Sequence, residues 1–411
     1  MRFQSRTATL CVAVTMFAGS VLAEAIELGP RPYLLVQQMR DGPLKEKLLS
    51  CADHDFERKL FSIGHRGAPL MFPEHTVESN VAAARMGAGI LECDVTFTKD
   101  KELVCRHAQN DLHTTTNILT SVLVGKCTKS YSPASRSGEA SAECRTSDLT
   151  LAEFRTLKGK MDPDKKKAAT VAENIAGAGA EAEAANRDTD SYAAASGTLM
   201  THAESIELFR SFGAKFIPEL KAPVVEMPFD GFTQEDYAQK LIDEFKAAGV
   251  PPEDVWVQSF NLDDILYWIR HEPEFGRQAV YLDGRYTEDD FDPMAPSTYK
   301  PSMAEFKRMG VNYIAPPMWM LVTAQNGKIA ASPYAVEAKK AGLKLITWTL
   351  ERSGPLSGGG GWYYQTITQL TNSDGIVFEL LDVLAQDVGI ERIFSDWPAT
   401  VTYYANCMGL E

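Results

Sequence analysis

A chain of 411 residues, 45% of them apolar and 23% charged, has an ordinary globular composition and can bury a sizeable core. Its formal net charge of −14 provides no general attraction for nucleic acid or anionic membranes. An anionic substrate must therefore be held by a local positive patch or by a metal. Length alone suggests two or three domains, but α/β barrels with insertions also reach this size as one domain.

The chain starts MRFQSRTATLCVAVTMFAGSVLAEA. Arg2 and Arg6 precede a short apolar run, Leu10 to Phe17, and Val21-Leu22-Ala23 offers small residues for cleavage. This pattern predicts a signal peptide over 1–23, cleaved near Ala23, and an exported mature chain, periplasmic or secreted. The run is too short to span a bilayer, and no later stretch is apolar enough, so stable membrane insertion is not expected. Residues 24–411 are expected to form a single domain.

Eight runs with strand character follow: FSIGH (61–65), ILECDVTF (90–97), KFIPEL (215–220), VWVQSF (255–260), QAVYL (278–282), VNYIAP (311–316), LKLITWTL (343–350) and RIFSD (392–396). Helical patterns lie between most of them, among them EHTVESNVAAARMG, HAESIELFRSFG and YAQKLIDEFKAAG, several ending in Gly. Alternating short strands and helices predict a parallel sheet, and eight strands favour a closed (β/α)8 TIM barrel.

One further strand, LVCRH (103–107), follows ILECDVTF too closely for a parallel crossover, so it must return as a hairpin. A two-residue loop at Asp100-Lys101 would set Asp94 opposite His107, with Glu92 on the same face. The same register would put Cys93 and Cys105 on opposite faces and argues against a bond between them.

Residues from about 108 to 200 form a long insertion after the second barrel strand. Its first half carries some apolar pattern. Its second half, roughly 163–198, is rich in Ala, Glu, Lys, Asn and Asp and reads as a mobile or partly helical surface segment. A loop after the seventh strand, SGPLSGGGGW (353–362), has glycines that should not support a fixed element, and its position suits a lid. Six cysteines remain beyond the leader, an even number that suggests disulfides in an exported protein. Cys127 and Cys144 share one polar loop, and Cys51 with Cys407 would tie the ends together.

Strand ends supply His65, Arg66, Glu92, Asp94, Glu219 and Lys221, and the hairpin adds His107. In a barrel these ends converge on one rim. Three carboxylates there repel one another unless a cation neutralises them or their pKa values rise, and oxygen ligands select a hard divalent ion such as Ca²⁺ or Mg²⁺. Arg66 and Lys221 supply charge for an oxyanion, and two histidines suit proton transfer near neutral pH. The combination describes phosphoryl chemistry better than acyl or glycosyl chemistry. His54, His113, His202 and His271 read as surface or structural residues, and the acidic runs DFERK, EDDFD and QEDY as solvated faces.

The run IGHRGAPLMFPEHTVESNVAAARMGAGILECDVTFTKDKELVCRHAQNDL resembles the opening of the glycerophosphodiester phosphodiesterase family, with its His-Arg-Gly, Pro-Glu-Asn-Thr, Glu-x-Asp and His-Asp signatures. ELK at 219–221, QSF at 258–260, TWT at 347–349 and SDWP at 395–398 resemble its later strand-end signatures. The resemblance runs from about 61 to 398, outside the insertion. It implies metal ligation by Glu92, Asp94 and Glu219, acid–base catalysis by His65 and His107, phosphate contacts from Arg66 and Lys221, and an aromatic wall from Trp348. It further implies a small glycerophosphodiester substrate and no nucleic-acid partner. His75 stands where the family usually has Asn, and Ala108 where Asp usually follows the second histidine; if that Asp orients the histidine, Asp111 or another group must substitute. Two alternatives remain beside hydrolysis of glycerophosphodiesters. One is a phospholipase D-like or sphingomyelinase-like lipid phosphodiesterase, which an exposed apolar rim would favour. The other is an exported binding protein that captures glycerophosphodiesters without cleaving them.

Overall fold

In the computed structural model the eight runs become the strands of a closed barrel. The structure describes residues 25–136, 138–161, 166–175 and 197–411. The expected signal peptide, and much of the polar half of the insertion, lie outside the described residues.

The strands in chain order are β1 (Lys59–Gly64), β2 (Ala88–Leu91), β3 (Asp94–Phe97), β4 (Leu103–Cys105), β5 (Lys129–Ser132), β6 (Ser141–Glu143), β7 (Lys215–Phe216) and β8 (Glu219–Leu220). They continue with β9 (Gln258–Ser259), β10 (Val280–Leu282), β11 (Tyr313–Ala315), β12 (Val322–Gln325), β13 (Lys328–Ala331), β14 (Lys344–Leu350) and β15 (Arg392–Ser395). β2 and β3 are halves of one barrel strand, and β7 and β8 are halves of the next. Leu91 pairs with Phe216 and Asp94 with Glu219 at one constant offset. The Ile217 and Glu219 amides donate to the Leu91 and Cys93 carbonyls across the gap, at 3.1 Å each. Parallel pairing then runs β8–β9–β10–β11–β14–β15–β1, and β1 pairs with β2, which closes the ring.

Inward-pointing Ile63, Ile90, Ile217, Trp256, Val280, Tyr313, Ile346 and Phe394 form one apolar cluster that fills the barrel. Two residues further along a strand the side chain again points inward. His65, Glu92, Glu219, Gln258, Trp348 and Asp396 therefore stand directly above Ile63, Ile90, Ile217, Trp256, Ile346 and Phe394. A larger apolar cluster joins the outer faces of the strands to the surrounding helices. Thr201, Thr233 and Ser302 start helices with capping boxes completed by Glu204, Asp236 and Glu305. His202 is buried against Glu244 at 2.8 Å, a structural contact.

The hairpin departs from the expected register. Val95 faces Cys105, Thr96 faces Val104 and Phe97 faces Leu103, one residue away from the pairing that a two-residue loop would give. The turn instead holds Lys99, Asp100 and Lys101. The Thr98 amide donates to the Glu102 carbonyl at 3.0 Å, and Lys101 takes φ +66°. The side chains explain it: Thr98 Oγ1 donates to Asp100 Oδ1 at 2.6 Å and accepts from the Glu102 amide at 3.0 Å. A one-residue slip exchanges the faces of a strand. Asp94 consequently lies opposite Arg106, not His107, and Cys93 and Cys105 share a face and form a disulfide, contrary to expectation. The pairs Cys51–Cys407 and Cys127–Cys144 form as expected.

The first half of the insertion builds its own small core from Leu112, Ile118, Leu119, Cys144, Leu149, Phe154 and Leu157. The glycine loop after β14 also differs from expectation, because it holds two short 3₁₀ turns, Leu356–Gly358 and Gly361–Tyr364. Gly359 and Gly360 join them at φ +97° and +76°, where L side chains are disfavoured. Sequence reading also missed the β12–β13 hairpin, whose turn is Asn326-Gly327 with both φ positive. It missed the helices Arg31–Gln37 and Pro43–Ser50 ahead of the barrel as well.

Candidate active site

Above the apolar layer opens a cavity of about 420 Å³. His65, Arg66, Glu92, His107, Glu219, Lys221 and Trp348 line it, and Asp94 stands beside Glu92 and Glu219. The eight expected residues are thus brought to one place.

Carboxylate oxygens of Glu92, Asp94 and Glu219 lie within 4.8 Å of one another, and all three residues are buried. Burial pushes the Glu92 carboxyl well above its ordinary range, and the charges of Asp94 and Glu219 add to that. Burial also lifts Glu219, to about 7, against the opposing effect of Lys221. Asp94 goes the other way: although burial resists it, Lys221 and His75 hold its carboxyl well below the usual range. Two carboxyls pushed up beside a third held down mark a cluster short of positive charge. Among the described residues Asp94 Oδ1 has no hydrogen-bond partner although it is buried, while Oδ2 accepts from His75 Nε2 at 2.8 Å. The orphaned oxygen and the close acidic set fit a hard divalent cation.

Neighbouring groups aim the carboxylates. The Arg66 amide donates to Glu92 Oε2 at 2.8 Å, and Gln258 Nε2 donates to Oε1 at 3.0 Å. Arg66 turns with φ +58°, and its guanidinium pairs with Glu74 at 2.8 Å. Lys221 Nζ lies 2.6 Å from Glu219 Oε1. His75, standing in place of the family's Asn, supplies the hydrogen bond to Asp94.

The histidines sit on different supports. His65 Nδ1 lies 2.6 Å from Asp396 Oδ1. An ionised carboxylate only accepts, so Nδ1 carries the proton and Nε2 presents its lone pair toward the cavity. That Nε2 is 4.0 Å from Glu92 Oε2. Burial pushes the His65 imidazole down to about 4, with Arg66 and Arg352 adding to the shift and Asp396 opposing it. His107 lies beyond the end of β4, so hairpin register does not fix its direction. Burial, with Arg66 and Lys221, holds it well below the usual histidine range. A nitrogen of His107 and oxygens of Glu74 and Asp111 lie within 4.8 Å of one another. Asp111 also accepts the Ala108 amide at 3.0 Å, so it occupies the neighbourhood left by the departure at Ala108.

Sequence reading missed Asp396 and Arg352. Arg352 Nε lies 2.9 Å from Asp396 Oδ2, and its Nη2 donates to Oδ1 at 3.1 Å. Asp396 had a signal: it stands two residues after apolar Phe394 inside SDWP. Arg352 had none, because it follows Glu351 at φ +67° and lies off the strand pattern. Trp348 donates its indole N–H to the Ala315 carbonyl at 3.0 Å and stacks on Trp362, with centroids 5.9 Å apart. Phe260, Tyr286 and Tyr363 extend the aromatic wall.

Comparison with known proteins adds three findings. The family model described as the glycerophosphoryl diester phosphodiesterase family matches residues 65–400. Among curated proteins, an "Extracellular protein" of Arthroderma benhamiae is 47% identical over 227 residues, covering 54% of this chain and 91% of its own length. A glycerophosphodiester phosphodiesterase of Bacillus subtilis is 39% identical over 59 residues, 14% of this chain and 20% of that protein. Among solved structures, a protein of Silicibacter pomeroyi provisionally named a glycerophosphoryl diester phosphodiesterase superposes with a TM-score of 0.57 at 18% identity. That match covers 89% of this chain and 98% of the other, and shows a shared fold.

Proposed function

Because the chain belongs to the glycerophosphoryl diester phosphodiesterase family, we propose that it hydrolyses glycerophosphodiesters to glycerol 3-phosphate and an alcohol, with His65 and His107 as acid and base. The observation that carries this reading is the acidic cluster Glu92, Asp94 and Glu219 beside a cavity that His65 and His107 both line.

Glu92, Asp94 and Glu219 would hold a divalent ion, Ca²⁺ or Mg²⁺. When bound, it supplies Lewis-acid stabilisation of charge on phosphoryl oxygen. Arg66 and Lys221 attract the phosphodiester anion and orient it. Burial first, and then Arg66 and Lys221, hold His107 below the usual histidine range, and the bound anion offsets the part that comes from the two cations. His65 Nε2, fixed as an acceptor by Asp396, can remove a proton from the attacking hydroxyl. A protonated His107 gives its proton to the leaving alcohol oxygen; where the attacker is the substrate's own neighbouring hydroxyl, water then opens the cyclic phosphate with the roles reversed, His107 taking a proton from the water and His65 returning one to the glycerol oxygen, which restores both rings. The aromatic wall around Trp348 excludes water from the alcohol side.

Export belongs to the same proposal. Residues 1–23 are read as a signal peptide cleaved near Ala23, followed by one catalytic domain over 24–411 with its insertion at about 108–200. The Arthroderma relative's name and three disulfides support export. Among the described residues no helix is long and apolar enough to cross a membrane.

One observation favours a second reading, a lipid phosphodiesterase. Phe260 and Trp362 are 40% and 38% exposed on loops at the aromatic side of the cavity. A coupled assay for glycerol 3-phosphate over glycerophosphocholine and glycerophosphoethanolamine, with an assay for released choline over an intact phosphatidylcholine, separates the two. Release from both glycerophosphodiesters supports the first reading. Phosphodiester cleavage of the phospholipid alone supports the second, and binding without turnover of any would leave the capture protein.

A further inference from the structure

Glu351 follows β14 at φ +67°, a region that costs a side-chain-bearing residue energy and persists only where its surroundings hold it. Its carboxylate is buried against Arg31 and Thr400, neither of which lines the cavity. Arg31 Nε donates to both of its oxygens at 3.1 Å, and Arg31 Nη2 and Thr400 Oγ1 add further bonds. Arg31 opens a helix ahead of the barrel, outside the residues that match the family, and Thr400 belongs to the C-terminal helix Pro398–Met408.

The left-handed turn sends consecutive side chains in opposite directions. Glu351 points out to Arg31, while Arg352 points in and reaches both oxygens of Asp396, the carboxylate that orients His65. The Asp396 amide meanwhile donates to the Leu350 carbonyl at 3.1 Å, so both ends of this contact are tied to the end of β14. We propose that Arg31 is a positioning residue for His65, acting through Glu351, Arg352 and Asp396. The segment before the barrel thereby takes part in setting the site. The bidentate fork matters more than the charge, since only a planar guanidinium can hold both carboxylate oxygens along one direction.

The kinetic test rests on the proposed reaction. Arg31→Met should lower kcat about tenfold and leave KM within about twofold, and Arg31→Lys should recover only part of the loss. In an Arg352→Met background, Arg31→Met should cost nothing more, because the link it acts through is already cut. A kcat within twofold of wild type, or the same loss in both backgrounds, overturns the proposal. A second readout needs no activity: the Nδ1 proton resonance of His65 in NMR, assigned by its loss in Asp396→Asn. It should shift or broaden in Arg31→Met, and an unchanged resonance overturns the proposal even if no glycerophosphodiester is cleaved. Should Arg31→Met fail to fold, Arg31→Lys carries both measurements with smaller changes.

Discussion

Replacing Asp396 by Asn tests how the site is built. The side chain is fully buried, accepts from His65 Nδ1 at 2.6 Å and faces the Arg352 guanidinium at 2.9 and 3.1 Å. Asn keeps the shape and removes the charge. Arg352, only 13% exposed, then loses its counter-ion, and breaking a buried pair in this way costs about 3–5 kcal/mol of stability. The effect on catalysis is separate. A hydrogen bond to a charged group contributes about 1.5–3 kcal/mol, which corresponds to a loss of roughly 10- to 150-fold in kcat if it serves to orient His65. The Asn amide can also donate to Nδ1, which moves the ring proton to Nε2 and removes the base. The loss should therefore lie at or beyond the upper end of that range. Urea unfolding gives the first quantity, and initial rates of glycerol 3-phosphate release from glycerophosphocholine give the second. A folded variant with kcat within threefold of wild type would refute the orienting role, as would a change confined to KM.

Two further outcomes are expected. A divalent ion must displace the protons that burial and mutual repulsion leave on Glu92 and, near neutrality, on Glu219. Ca²⁺ or Mg²⁺ should therefore bind more tightly as pH rises from 5 to 7, and calorimetry in buffers of different ionisation enthalpy should register proton release; equal affinity across that range would contradict the ligand set. Removing the Cys93–Cys105 bond with a double Ala substitution opens a loop of 12 residues and should cost about 3 kcal/mol in denaturant unfolding. Since Cys93 stands between Glu92 and Asp94, and Cys105 two residues before His107, turnover should fall as well; full turnover would limit the bond to stability.

The barrel and most of the site were legible because one rule covers them. Apolar positions at a period of two reveal which residue caps each strand, and Glu92, Glu219 and Trp348 follow Ile90, Ile217 and Ile346 in that way. The rule fails where the backbone leaves the strand. The Thr98–Asp100 side-chain bond lengthened the hairpin turn by one residue, which reversed the expected facing of Cys93 and Cys105. His107 lines the cavity from beyond its strand, so the register that would set it opposite Asp94 does not place it there. Arg352 is placed by a left-handed residue, and Arg31 by a contact more than three hundred residues away in sequence. Neither leaves a local pattern. The aromatic wall was represented by Trp348 alone, because Phe260, Tyr286 and Tyr363 arrive on separate loops.

Turnover of glycerophosphocholine after exhaustive chelation, and again after return of Ca²⁺ or Mg²⁺, bears most directly on the carboxylate cluster as the seat of the chemistry. Wild type should lose activity with the chelator and regain it with the ion, while Glu219→Gln, folded and given the same ion, should not regain it. Undiminished turnover in the chelator, or full recovery by the Gln variant, would contradict the account.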